Sequence, residues 1–160
     1  MSATPITPSA RYYRQGRTRV LWTPTIADIL SPTRSEINAA TDLSGEIAAS
    51  SGWEVTGNTE DTPDLGSVFV GNIPSTTTSD ASSLTFYSDE TSVDVRTLLQ
   101  RGVVGNIIWM DEGDVEGYLM DIFPVRVTSA PKQRDIAAVA QIMVNFAISR
   151  QPAENVAIPA

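Results

Sequence analysis

The amino-acid sequence predicts a mainly β protein with one core, and three observations support this class. Short runs of β-branched and aromatic residues recur along the chain, separated by turn-forming residues. Apolar residues alternate with small or polar ones over residues 136–149, which is the period of a strand. A length of 160 residues, of which 41% are hydrophobic, suffices for one domain with a good core.

The N-terminal half predicts short strands around one short helix. Residues 34–40 fit a helix because Pro32 and Glu36 are typical of its start. Residues 57–66 are too polar for a core and predict a solvated loop that can reach a neighbour. Residues 73–83 predict the long loop of a hairpin. The strand candidates are residues 17–23, 43–48, 53–55, 68–70 and 84–87.

Residues 92–101 predict the best helix of the chain. Ser92 fits the N-cap, Arg101 lies in the last turn, and Gly102 ends the segment. One apolar stripe at helical spacing would pack this helix on a sheet. The stripe consists of Val95, Leu98 and Leu99.

The C-terminal third predicts three strands, at residues 103–110, 118–128 and 136–149. Pro124 indicates a bend, bulge or edge position in the second of them. The third strand would extend roughly 45 Å, which is too long for the rest of one chain to cover. We therefore expect it to pair with strands of other copies, although a long hairpin in a monomeric sandwich stays open as an alternative.

Charged residues are unevenly distributed along the chain. The net charge is −8, and residues 36–121 contribute −14 to it, whereas residues 1–34 carry +4 and residues 122–160 carry +2. This distribution suggests that the ends meet the acidic bodies of other copies and that the middle repels a polyanion. An ordinary acidic surface with basic tails is the alternative.

The composition argues against an enzyme. The chain has no His and no Cys, which excludes the common catalytic triads, zinc–cysteine sites and disulfides. We assign no catalytic residue, no metal ligand and no cofactor. Carboxylates crowd only at Asp111, Glu112, Asp114 and Glu116, where a polar turn explains them better than calcium does. The longest apolar stretch is shorter than a membrane-spanning helix, so we expect no membrane insertion.

The N-terminal residues predict a flexible arm. Residues 1–16 have no apolar period and end in a basic and aromatic patch that includes Arg11, Tyr12, Tyr13 and Arg14. Such a patch can contact single-stranded nucleic acid, but the net charge favours docking on protein. The predicted organisation is an arm at 1–16, a β-domain at 17–150 and a C-terminal arm at 151–160.

Several segments resemble the major tail tube proteins of long-tailed, non-contractile phages, especially those that infect actinobacteria. The resemblance runs in order over residues 17–158. Its segments are RVLWTPTIA at 19–27, SPT at 31–33, EIN at 36–38, TDL at 41–43, FPVRV at 123–127 and FAI at 146–148.

The resemblance implies a β-sandwich or half-barrel with one flanking helix, six copies of which form a ring. Two long hairpins per copy would line a continuous β-barrel lumen. The helix would be residues 92–101, and one lumen hairpin would comprise residues 118–128 and 136–149. The other hairpin would lie near 43–55 or 68–87. The lumen-facing residues would be Gln141, Asn145 and Ser149.

The resemblance also implies contacts between stacked rings and with other tail proteins. The partners would be further copies of the chain and the tape measure, tail terminator and distal tail proteins, with DNA passing transiently. The location would be the virion tail, and the host cytoplasm during assembly. The C-terminal arm would contribute to ring contacts. The other contact residues would be Arg11, Tyr12, Tyr13, Arg14, Arg17, Glu60, Asp61 and Asp64.

A second class of function is a soluble β-sandwich module that binds carbohydrate or a cell surface. Ser- and Thr-rich loops and Trp53 or Trp109 would permit it. Binding of glycans to a monomer would favour this alternative.

Overall fold

The computed structural model describes residues 3–160 and consists mainly of antiparallel strands. The α-helix α1 is Arg34–Asn38, and a 3-10 turn covers Ser44–Glu46. The strands are β1 (Arg19–Thr23), β2 (Thr41–Asp42), β3 (Ile47–Ser51), β4 (Thr56–Thr62), β5 (Gly71–Thr78), β6 (Ser82–Tyr87), β7 (Val104–Met110), β8 (Leu119–Ser129), β9 (Lys132–Gln133), β10 (Gln141–Ile148) and β11 (Ala153–Ala157).

One large sheet organises the chain, in the order β2-β1-β7-β8-β10-β6-β3. The eleven-residue strand β8 joins its two halves, because β7 pairs along one edge of it at residues 121–126, and β11 and β10 pair with the start and the end of its other edge. Strand β9 pairs with the start of β10. Strands β4 and β5 form a separate two-stranded sheet.

The large sheet curls around a first apolar core. Trp22 of β1 and Phe86 of β6 belong to the same buried cluster, although their strands lie near opposite edges of the sheet. The sheet must therefore fold back on itself, as in a half-barrel. The other large members of this core include Leu84, Leu99, Ile107, Phe123, Ile142 and Phe146.

Trp53 closes this core at one end. Its ring centroid lies 5.4 Å from that of Phe123, in an edge-to-face arrangement, and 5.3 Å from that of Phe146. The indole nitrogen donates a hydrogen bond of 3.0 Å to the carbonyl of Ser83. Trp53 has a φ of 65°, and it follows Gly52, where a Cβ would lie 2.5 Å from the Ser82 hydroxyl oxygen. The bend that places the tryptophan therefore requires a glycine before it.

A second apolar core lies on the outer face of β1, β7 and β8. Strand β11 and helix α1 contribute to this cluster. Thr33 and Glu36 form a capping box at the start of α1, and hydrogen bonds from the Thr33 and Ala27 backbone amides lower the pKa of Glu36. The cluster comprises Leu21, Ile37, Ile108, Met110, Met120, Ile122, Ala153, Val156 and Ile158.

The helix predicted at residues 92–101 is wrong, whereas its apolar stripe packs as expected. Ser92 has a φ of 68°, which an N-cap does not adopt, and only turns follow it. Asp94 instead accepts hydrogen bonds from the backbone and guanidinium of Arg96, which hold one tight turn. Val95, Leu98 and Leu99 nevertheless pack in or against the first core. The α-helix of the fold is the short one predicted at 34–40.

Four further predictions are wrong in extent or in type. Strand β10 starts at Gln141, and the residues before it form an exposed loop in which Ile136 is fully exposed. Residues 57–66, predicted as a loop, mostly belong to strand β4, which is polar because neither face is buried. Its partner β5 occupies most of the predicted loop 73–83, and no strand covers 68–70.

The remaining strand predictions agree better with the structure. Those at 17–23, 84–87, 103–110 and 118–128 are confirmed as β1, β6, β7 and β8. Residues 43–48 are partly the 3-10 turn and partly β3. Residues 53–55 are not a strand, and 151–160, predicted as an arm, contribute β11 to the sheet.

We predict that Trp53→Ala lowers the free energy of unfolding by about 3 kcal/mol, because it opens a cavity among three aromatic rings. Urea denaturation followed by circular dichroism measures this change. Trp53→Phe should cost less, and Tyr13→Ala, at a side chain that is 91% exposed, should cost almost nothing. A Trp53→Ala variant as stable as Tyr13→Ala would contradict the role of Trp53 in closing the core.

We predict that Asp94→Asn destabilises the protein at pH 7 by on the order of 1 kcal/mol and that this difference disappears near pH 2. The Arg96 guanidinium lowers the pKa of Asp94 from 3.8 to about 2. The stabilisation is therefore complete above about pH 4 and is lost as the pH falls through 2. Melting temperatures from pH 2 to 7 measure it, with Glu154→Gln as the exposed control. A difference that persists unchanged at pH 2 would contradict it.

Candidate assembly surfaces

The N-terminal segment (residues 12–18) lies on the acidic turn (residues 111–116) between β7 and β8 of its own chain. Tyr12 donates its hydroxyl hydrogen to Glu112 Oε1 over 3.0 Å. The Arg14 guanidinium binds the Asp111 carboxylate, and Arg17 Nε donates to the Glu112 carbonyl over 3.2 Å. Three of the predicted contact residues therefore already share one acidic partner surface.

Contacts within the N-terminal segment also support this docking. The Arg17 guanidinium carbon lies 4.8 Å from the centre of the Tyr12 ring, within cation–π range. The amides of Arg17 and Thr18 both donate to the Arg14 carbonyl, which forms a turn. Burial and the hydrogen bond to Glu112 raise the pKa of Tyr12. By contrast, Arg11 and Tyr13 are exposed, and Tyr13 is 91% exposed.

The carboxylates of the acidic turn bind arginines. In addition to Arg14 on Asp111, Arg34 forms two hydrogen bonds of 2.5 and 2.7 Å with Asp114 and lowers the pKa of that carboxyl. Among residues 3–160, no group of three or more ligand-type side chains is positioned to hold a metal ion. Asp111 and Asp114 of this turn are therefore partners of arginine, and the Glu112 carboxylate is the partner of the Tyr12 hydroxyl.

The β4–β5 hairpin extends from the body as a separate sheet. All of β4 is exposed, including Glu60 and Asp61, and Asp64 lies in the connection to β5. Cross-strand hydrogen bonds, such as the one of 3.2 Å from Asn58 to Thr76, connect the two strands. The tip exposes large apolar side chains. These are Leu65, Val68, Phe69 and Val70. An isolated hairpin of this kind is only marginally stable without a further packing partner.

The outer face of β10 is polar and uncharged. Gln141, Met143 and Asn145 are half-buried there and alternate with fully buried apolar residues. Asn145 Nδ2 donates to the Ser129 hydroxyl over 2.9 Å, which ties the face to β8. Ser149 lies beyond the end of β10, and its hydroxyl donates to the Pro124 carbonyl. Of the three residues predicted to face a lumen, Gln141 and Asn145 therefore share this face. Ser149 lies beyond the strand and hydrogen-bonds to the Pro124 carbonyl.

The large sheet ends in two strands with one partner each. Among the described residues, β3 pairs only with β6 and β2 pairs only with β1. Each strand therefore has an unpaired backbone edge, which is a site for pairing with another strand. These edges were not visible in the sequence, because strand order depends on long-range contacts.

The tryptophans proposed for carbohydrate binding serve a structural role. Trp53 and Trp109 pack against the first core, with ring centroids 5.9 Å apart. Neither is among the exposed large hydrophobic residues. These two residues therefore do not offer an exposed aromatic surface on which a carbohydrate could bind.

Comparisons with known proteins agree with this architecture. A chain in a cryo-EM structure of the anti-feeding prophage (AFP) baseplate, symmetrised sixfold, is similar with a TM-score of 0.54. The two sequences are 11% identical, and the match covers 92% of this chain and 95% of that chain, so the likeness concerns the fold.

No helix in the described part of the chain has the length and apolar character needed to cross a membrane. A search of curated proteins found no significant match. The family model for phage tail tube proteins, however, matches residues 4–160. The chain therefore belongs to the phage tail tube protein family, whose members are structural components of the phage tail.

Proposed function

We propose that this chain is the subunit of a tail tube in which rings of six copies stack and conduct genomic DNA into the host. The observation that carries this proposal is the curled sheet with two unpaired edges and a polar, uncharged face on β10. The family match and the fold shared with a chain from a sixfold-symmetrised assembly support it.

Ring closure follows from the sheet edges. Copies related by rotation about one axis can pair edge to edge, and a closed ring leaves no aggregation-prone edge exposed. Strands β3, β6, β10 and the end of β8 are neighbours on one side of the first core. In the proposed ring, these strands line the lumen.

A lumen of this kind suits the passage of DNA. Gln141 and Asn145 carry no charge, and their neighbours across the sheet include Ser83 and Thr85. Neutral polar side chains offer few contacts to phosphate, because affinity for DNA comes mainly from cations that displace counterions. Arg126, opposite Ala147, is a charged side chain on this side of β8. Apart from Arg126, the face therefore offers a polyanion few cationic contacts.

Contacts between rings would come from the segments that leave the body. The docked segment shows which chemistry binds the acidic turn, since Tyr12, Arg14 and Arg17 all contact Asp111 or Glu112. The same turn on another copy presents the same partners, and exchange of identical elements between copies is a low-cost route to association. We include residues 1–16, residues 57–66 with Glu60, Asp61 and Asp64, and residues 151–160 among the inter-ring contacts.

The proposed partners are further copies of the chain, together with tape measure, tail terminator and distal tail proteins. The proposed location is the virion tail after assembly in the host cytoplasm. The role is structural, and no cofactor is assigned to it.

We predict that purified protein forms rings and tubes of rings that are visible by negative-stain electron microscopy. Multivalency around a ring compensates for weak single contacts, so assembly should be steeply dependent on protein concentration. Class averages of end views should show sixfold symmetry. Stable monomers at every salt and protein concentration tested would overturn the proposed function.

We predict that deletion of residues 1–16 leaves folded subunits or rings but strongly reduces their stacking into tubes. The deletion removes Tyr12 and Arg14, which bind Glu112 and Asp111. Tube number and length in electron micrographs measure the effect. Deletion of residues 1–8 is the matched control, because it retains both contacts, and it should stack normally. Tubes of normal length after removal of 1–16 would refute the role of the arm.

A further inference from the structure

A cleft of about 360 Å³ lies beside strand β3. Four consecutive residues of β3, from Ile47 to Ser50, line one side of it. Strand β6 pairs with β3, and none of the described residues of β6 lines the cleft. The cleft therefore lies at the open edge of β3. Residues of the N-terminal segment line its other side, and they are Arg14, Gln15, Gly16 and Thr18.

The side chain of Arg14 crosses this open edge. A second cleft, of about 200 Å³, shares Arg14, Ser50 and Trp109 with the first. The arginine therefore lies between the two clefts, next to Ser50 of β3. A strand that pairs with β3 would run about 4.8 Å from it, through the space that this side chain occupies. Such pairing requires Arg14 to move.

Contacts on both sides of Arg14 hold it in this position. The Asp111 carboxylate binds its guanidinium, and Tyr12 donates to Glu112 over 3.0 Å. Thr18 Oγ1 donates to the Asp111 carbonyl over 2.8 Å, just before the segment enters β1. The ion pair is partly exposed, with 64% of the Arg14 side chain and 34% of the Asp111 side chain accessible. Because exposed pairs contribute little stabilisation, the segment is held by bonds that another copy can displace.

The two clefts also contain an unsatisfied hydrogen-bond donor. Trp109 lines both of them, and its indole nitrogen is buried without an acceptor among the described residues. A buried donor in a folded protein normally has an acceptor. The backbone carbonyls of a strand added to β3 can supply one. This donor therefore supports the view that further chain enters the cleft once Arg14 has left it.

We propose that the N-terminal segment is autoinhibitory. In the free subunit it holds Arg14 across the open edge of β3, and it must release Asp111 before another copy pairs with that edge. This inference rests on the proposed function, in which copies pair edge to edge. Such cover protects a free subunit from unspecific strand pairing. It also weakens ring formation, because only the fraction of subunits with a released segment is competent to pair.

The first test compares two substitutions in the same acidic turn of the full-length chain. Asp111→Asn removes the carboxylate that holds Arg14 and should lower the protein concentration at which rings form by roughly two- to fivefold. Asp114→Asn is the matched control, because it makes the same charge change but breaks the pair with Arg34 instead. Sedimentation velocity over a dilution series measures the threshold, and circular dichroism melting checks folding. Equal thresholds for the two variants would overturn the proposal.

Deletion of residues 1–16 provides a second comparison, because it removes Arg14 altogether. Rings of this variant should form at a concentration at least as low as that of Asp111→Asn, even though their stacking is reduced. Deletion of residues 1–8 retains Tyr12 and Arg14 and should leave the threshold of the unmodified chain. A higher threshold after removal of residues 1–16 would contradict an inhibitory role of the segment.

The third test locks the segment in place. The chain has no cysteine, so a Tyr12→Cys/Glu112→Cys variant can be cross-linked at these two positions alone by a flexible, reducible bis-maleimide. The cross-linked monomer should form no rings at concentrations where the unmodified chain does, and reduction of the linker should restore them. The same variant treated with N-ethylmaleimide is the control and should form rings. Rings from the cross-linked monomer, or none after reduction, would overturn the proposal.

The outcomes separate this inference from the proposed function. Rings that form at one concentration from the unmodified chain, the Asp111→Asn variant and the 1–16 deletion would refute the inhibitory role alone. Absence of rings from all three would refute the proposed function and this inference with it.

Discussion

The closure of one curled sheet over the first apolar core is the constraint on which the rest of this structure depends. Strand β8 makes closure possible, because it pairs with β7 along one edge and with β11 and then β10 along the other. Trp53 completes the closure with three aromatic contacts. A buried aromatic cluster of this kind contributes more stabilisation than any exposed ion pair of the chain.

Everything that we assign to assembly lies outside this core. The closed core leaves two strand edges, one uncharged face on β10 and the β4–β5 hairpin, which forms a separate sheet. Unpaired edges and exposed apolar tips promote association, so we expect further copies to cover the two strand edges and the hairpin tip. The division between a self-sufficient core and an incomplete surface is what a subunit of a polymer requires.

The structure gives the uneven distribution of charge along the chain a more specific role. The arginines near the N-terminus do meet acidic residues, yet the structure places Arg14 on Asp111 of the same chain. The acidic middle divides between that turn, the exposed β4–β5 hairpin and the tight turn at Asp94, while the outer face of β10 is neutral. Repulsion of DNA therefore need not come from acid on β10, and Asp94, Asp111 and Asp114 form contacts with arginine.

The sequence alone determined the strands whose two faces differ in burial, namely β7, β8 and the part of β10 around Val144. In such strands apolar residues recur at every second position, and this period is visible in the sequence. It also determined the family. Only the tertiary structure decided the ends of elements and their partners. The apolar stripe at Val95 and Leu99 packs from a turn rather than a helix, and the polar strand β4 has no buried face to mark it. Sheet order and the contact of the N-terminal segment with the acidic turn arise from long-range pairing, which leaves no local pattern in the sequence.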